Sequence, residues 1–168
     1  LSRAVLTSAL AVATATIGAA EEPALWLRYP AISPDGRTIV FSYRGDLYRV
    51  ASSGGEAAPL TLHEAHDTRP VWSPDGSEIA FASDRYGNFD VYVMSAQGGR
   101  ARRLTYHSAN DTPFSFTPDG EAVLFGSARL DTDTSVGFPT GAQPELYRVS
   151  KAGGMPRQVL TTPAEYAV

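Results

Sequence analysis

The sequence contains no cysteine, which excludes disulfides, thiolate metal ligands and a cysteine nucleophile and leaves stability to packing alone. Basic runs are missing as well: beyond Arg3, 13 lysines and arginines stand against 18 carboxylates. A mildly acidic chain without a basic stripe is not built for nucleic acid. No long hydrophobic run exists either. The apolar stretch from Ala4 to Ile17 falls short of the ~20 residues a membrane span needs, so no stable span is expected. No serine sits in a Gly-x-Ser-x-Gly elbow, and serine-rich loops without one are poor ground for a triad. Glycines fall in turns rather than in a phosphate-cradling loop before a helix. No catalytic residue and no cofactor are expected in this stretch.

What the sequence does contain is one pattern written three times. Ser33-Pro34-Asp35-Gly36 recurs as Ser73-Pro74-Asp75-Gly76 and as Thr117-Pro118-Asp119-Gly120, at spacings of 40 and 44 residues. A Phe follows each Asp by six residues, at Phe41, Phe81 and Phe125. Then come Asp46-Leu47-Tyr48, Asp90-Val91-Tyr92 and Glu145-Leu146-Tyr147, followed by Gly54-Gly55, Gly98-Gly99 and Gly153-Gly154. Each copy closes on Leu-Thr, at Leu60-Thr61, Leu104-Thr105 and Leu160-Thr161.

Each marker has a physical task. Pro presets φ at a turn corner, Asp bonds nearby backbone, and Gly accepts positive φ, which together make a tight hairpin. The Gly pair suits a second hairpin. Between the turns lie short apolar runs such as Glu78-Ile79-Ala80-Phe81, expected for a strand covered on both faces. The reading is all-β: one four-stranded blade per copy, three blades of an incomplete β-propeller. The blades are expected over about 26–61, 69–105 and 113–161, with 162–168 opening a further one. Propellers need four to eight blades to close. The chain is therefore expected to be a segment of a larger protein, a short protein that oligomerises into a ring being the alternative.

Residues 1–20 are set apart from this domain of 24–168. Arg3, the apolar stretch and Gly18-Ala19-Ala20 have the order of a secretory signal peptide cleaved after Ala20. A periplasmic or secreted location follows, an uncleaved anchor being the alternative.

Candidate sites fall on one face. Tight, uniform turns join strands one–two and three–four, whereas loops two–three and four–one are irregular and share the opposite face. The longest surplus, around Leu130 to Gly141, lies in loop two–three of copy three. Its Asp131, Asp133 and Phe138 are candidates for contact with a peptide or a neighbouring domain, with a packing flap as the plainer reading. The two Asp alone lack the further oxygen ligands of a calcium loop. His63, Glu64, His66 and Asp67 have the types of a metal cluster. Copy two, however, repeats the pattern as His107, Asn110 and Asp111, which favours a blade-to-blade role. No metal site is expected, and His66 remains a contact candidate. Arg44, Arg85 and Arg129 recur shortly after the Phe, and Arg44 with Asp46 and Arg85 with Asp90 are expected to pair across short loops. The alternative is an Arg ring at the pore mouth that attracts peptide carboxylates.

The copies resemble the Pro-Asp-Gly, WD-like repeats of TolB-like proteins and of tricorn-type and prolyl-oligopeptidase-type peptidases, over residues 25 to 168. Asp84-Arg85-Tyr86-Gly87-Asn88-Phe89-Asp90-Val91-Tyr92-Val93-Met94 is close to how such repeats run. The opening Leu25-Trp26-Leu27-Arg28-Tyr29-Pro30 is most similar to the first blade of bacterial tricorn-like serine proteases. That resemblance implies a non-catalytic propeller that scaffolds or gates peptide access, its partners being peptides or downstream domains, with the nucleophilic Ser and the His far downstream. A TolB-like envelope-binding propeller and the propeller of a prolyl-oligopeptidase-type hydrolase are the alternatives.

Overall fold

The computed structural model describes residues 26–129 and 144–160. The expected signal peptide, Asp131, Asp133 and Phe138 of the long loop, and the start of a further blade lie outside these. Every element among the described residues is a strand. The first sheet is β1 (Arg28–Ile32), β2 (Thr38–Tyr43), β3 (Asp46–Ala51) and β4 (Ala58–Pro59). The second is β5 (Asp67–Trp72), β6 (Glu78–Ser83), β7 (Asp90–Ser95) and β8 (Arg102–Arg103). The third is β9 (Asp111–Phe116), β10 (Ala122–Ser127), β11 (Glu145–Ser150) and β12 (Arg157–Leu160). Each sheet is an antiparallel meander in chain order.

The repeated turn is held the same way three times. Ser33 Oγ donates to Asp35 Oδ1 at 2.6 Å and accepts the Thr38 N–H at 2.9 Å, while Asp35 Oδ1 also accepts the Arg37 N–H. Ser73 and Asp75 repeat these bonds, as do Thr117 and Asp119. The hydroxyl and carboxylate thus satisfy the backbone that the hairpin leaves open. Leu-Thr has a matching role: Thr61 Oγ1 accepts the Leu47 N–H and donates to Asp46, and Thr105 does the same for Val91 and Asp90.

Strand periodicity explains the continuous apolar runs. Successive side chains point to opposite faces. Ile79, Phe81, Tyr92 and Met94 pack toward blade one against Val40, Leu47 and Leu60. Ala80, Val91 and Val93 pack toward blade three against Phe116, Val123, Phe125, Tyr147 and Val149. The middle blade is therefore apolar on both faces. The first strands β1, β5 and β9 pack on one another between blades.

Those first strands are not regular. The register against the second strand skips at Tyr29-Pro30, at Arg69-Pro70 and at Phe114. Proline has no N–H to give a ladder and settles at such bulges. In blade three the bulge carries Phe114 instead, and its ring lies against Gly126, where a Cβ would overlap it.

Candidate functional site

The loop face is stitched from blade to blade. Gly45 O accepts the Asp67 N–H, and Asp84 Oδ1 accepts the His66 N–H at 2.7 Å. Asn88 Nδ2 donates to the carbonyls of His107 and Ala109, and Asn110 Oδ1 accepts the Phe89 N–H. His63 and His107 each turn Nδ1 inward to accept an N–H two residues ahead, from Ala65 and Ala109. These repeated histidines hold their loops, and Asp67 is committed to an arginine. Among the described residues no group of three or more ligand side chains converges. His66 keeps a largely exposed ring, with Nδ1 3.4 Å from Asp84 Oδ2.

The arginine pairing differs from the expected one. Arg85 pairs with Asp67 at 2.8 Å and Arg129 with Asp111 at 2.6 Å, each carboxylate fully buried. Asp90 takes Arg103 at 2.5 Å. Asp67 and Asp90 flank Ser83 on opposite sides of β6, so both are within reach of the loop that follows. Arg85 turns toward β5 because its guanidinium lies on the stacked rings of Phe81 and Tyr92, at 5.8 and 5.2 Å. Arg129 lies likewise on Phe125 and Tyr147. Asp90, already holding Thr105 and Arg103, has its carboxyl pushed up by burial, against the pull of the Arg103 charge. Arg44 makes no pair with Asp46; it lies over the Tyr43 ring at 5.2 Å. The recurrence of Asp67 and Asp111 six residues ahead of the Ser/Thr-Pro turns was the signal for the true partner.

A cavity of about 500 Å³ opens where the loop face meets the first strands of all three blades. Arg28 and Tyr29 reach it from β1, Tyr43 from the end of β2, Thr68 and Arg69 from β5, and Thr112 from β9; Arg44 and His66 come from the loops. Three arginines stack on three aromatics there: Arg69 over Tyr29 at 4.6 Å, Arg44 over Tyr43, and Arg28 over Trp26 at 5.7 Å. None of the three is ion-paired among the described residues. Single-sequence reading reached His66 and Arg44 but not this assembly.

Three four-stranded meanders packed first strand against first strand define a β-propeller of tandem Pro-Asp-Gly blades. The chain belongs to the tricorn protease N-terminal β-propeller domain family, which it matches over residues 24–168. It is similar in structure to TolB from Acinetobacter baumannii, with a TM-score of 0.60 and 24% identity, over 79% of this chain and 31% of that one. Against the tricorn protease the TM-score is 0.58 at 23% identity, over 73% of this chain and 12% of that one. Both likenesses are of fold. In sequence it is 46% identical over 55 residues to the uncharacterized peptidase YuxL of Bacillus subtilis, or 30% of this chain and 8% of that protein. The chain thus spans less than a third of each of these relatives.

Proposed function

We propose that this propeller scaffolds and gates peptide access in an exported serine peptidase of the tricorn type, and does not itself cut. The observation that carries the reading is membership of the tricorn N-terminal propeller family over residues 24–168. Two features agree with it. The turn face is uniform, with Pro34 packed beside Gly76 and Pro74 beside Gly120. The opposite face holds the irregular loops and the cavity at the first strands. Loops on a rigid scaffold are where binding is built. The leader-like order of residues 1–20 supports a periplasmic or secreted location.

The test compares hydrolysis of long and short peptides by the whole peptidase that carries this propeller, before and after bulky substitutions at Thr68 and Thr112. Gating predicts that kcat/KM falls for long peptides and holds for short ones. An equal fall for both would remove the gating role. Absence of peptidase activity altogether would favour a TolB-like docking propeller instead.

A further inference from the structure

The cavity at the first strands carries features that a structural blade junction does not need. The described residues include four non-glycine residues at positive φ: Trp26 (77°), Tyr29 (51°), Arg44 (51°) and Arg69 (53°). All four line this one cavity. Left-handed backbone at bulky side chains costs energy and gathers where a site has to be held open or aimed. Two of the four are the arginines that lie over Tyr43 and Tyr29, which holds their guanidinium groups in place without neutralising them. The wall also holds two buried polar atoms without hydrogen bonds among the described residues, Ser42 Oγ and Asp67 Oδ1. Asp67 spends only Oδ2 on Arg85, whereas its counterpart Asp111 engages Arg129 with both oxygens.

We propose that this cavity binds an extended acidic peptide segment. Arg44 and Arg69 take the carboxylate of an Asp or Glu side chain, Asp67 Oδ1 accepts a main-chain N–H, and Ser42 Oγ donates to a main-chain carbonyl. The inference rests on the peptide-guiding reading above and gives it a site and a substrate class. The donor set decides between anions. A phosphate offers nothing to the carboxylate oxygen of Asp67, whereas a peptide presents an N–H beside each acidic side chain. Arginines already held over aromatic rings lose little freedom on binding, and a charge-assisted, forked contact rewards that.

The test measures fluorescence anisotropy of labelled, N-acetylated and C-amidated peptides with the full chain. A Glu/Asp peptide is compared with its Gln/Asn analogue and with the same Gln/Asn peptide left unblocked at its C-terminus. Asn tolerates positive φ, so Arg44→Asn and Arg69→Asn remove charge without disturbing the backbone. The expected result is acidic binding about tenfold or more tighter than the analogue, weakened about tenfold by either variant. Arg157→Gln, on the exposed strand β12, should leave it unchanged. Equal binding of the acidic and amide peptides would overturn this site and spare the gating reading. So would equal loss in Arg157→Gln, or binding that follows the free C-terminus rather than the side chains. No binding of any peptide would overturn both readings.

Discussion

Blades two and three bury the same ion pair and close it differently. In blade three Arg129 reaches Asp111 with Nη2 at 2.6 Å and Nε at 3.4 Å, and Nε also donates to Ser127 Oγ at 3.1 Å. In blade two Arg85 gives only Nη2 to Asp67, and Arg85 Nε, Asp67 Oδ1 and Ser83 Oγ are left without hydrogen bonds among the described residues. Blade one dispenses with the pair. Leu27 stands at the Asp position and Gly45 at the Arg position, and Tyr43 sets its edge on Tyr48 at 5.8 Å. A blade can therefore form without the charge pair. Where the pair is kept, its worth depends on how completely the remaining polar atoms are met.

Deleting one partner breaks this comparison hardest. Asp111→Ala leaves the Arg129 guanidinium buried and uncompensated, and a loss of about 3–5 kcal/mol is expected from the urea midpoint. Asp67→Ala should cost less, because it removes one bond where Asp111 makes two. Equal losses would mean that closure of the pair is irrelevant. Replacing both members of the looser pair, as Asp67→Leu with Arg85→Met, imports blade one's apolar solution. That double variant should recover most of what Asp67→Ala loses; failure to recover would assign blade two a need for charge that blade one lacks.

A smaller effect separates the same blades at the bulge. Blade two has Pro70 at the bulge and Ala82 on the second strand, where blade three has Phe114 at the bulge and Gly126 beneath its ring. Gly126→Ala drives a methyl into the Phe114 ring and should cost about 1–3 kcal/mol. Ala82→Gly, which only loosens the strand, should cost about 0.5–1 kcal/mol. Thermal melts of the two variants give the order directly.

The turns, strand order and two-sided core were legible because they are written in short-range chemistry. Ser33, Asp35 and Gly36 act within five residues of one another, and Ile79 and Ala80 declare opposite faces by adjacency. Contacts across the loop face were not. Arg85 stands five residues before Asp90 but 18 after Asp67, so proximity in sequence favoured the wrong acid. The cavity was hidden for a related reason. Tyr29 and Arg69 take positive φ at bulges beside Pro30 and Pro70, which have no N–H to give the ladder, although the residue before proline ordinarily avoids the helical regions. The Tyr-Pro and Arg-Pro pairs stand in register in two copies, and only the folded register gives them meaning.

The smallest effect is a pH dependence that again tells blade two from blade three. Asp35, Asp75 and Asp119 are all held below the ordinary value of 3.8, first by the hydroxyl of Ser33, Ser73 or Thr117 and then by an N–H two residues on. Asp75, which also accepts the Ser77 hydroxyl, is brought to about 2. A carboxylate depressed in the folded state binds fewer protons there than when unfolded. Its contribution is thus complete above the unfolded value and is lost as pH falls from about 3.8 toward 2. Asp90 acts with the opposite sign: burial raises it, so protonation favours the folded form as pH falls through its raised value. Removing a hydroxyl that holds one of these carboxylates should therefore flatten the acid limb of stability against pH, and Ser77→Ala, which takes from Asp75 the bond that Asp119 lacks, should bring the blade-two turn to the behaviour of the blade-three turn. If Ser77→Ala leaves the limb unchanged, the extra hydroxyl at Asp75 has no energetic consequence and the turns of the two blades are equivalent.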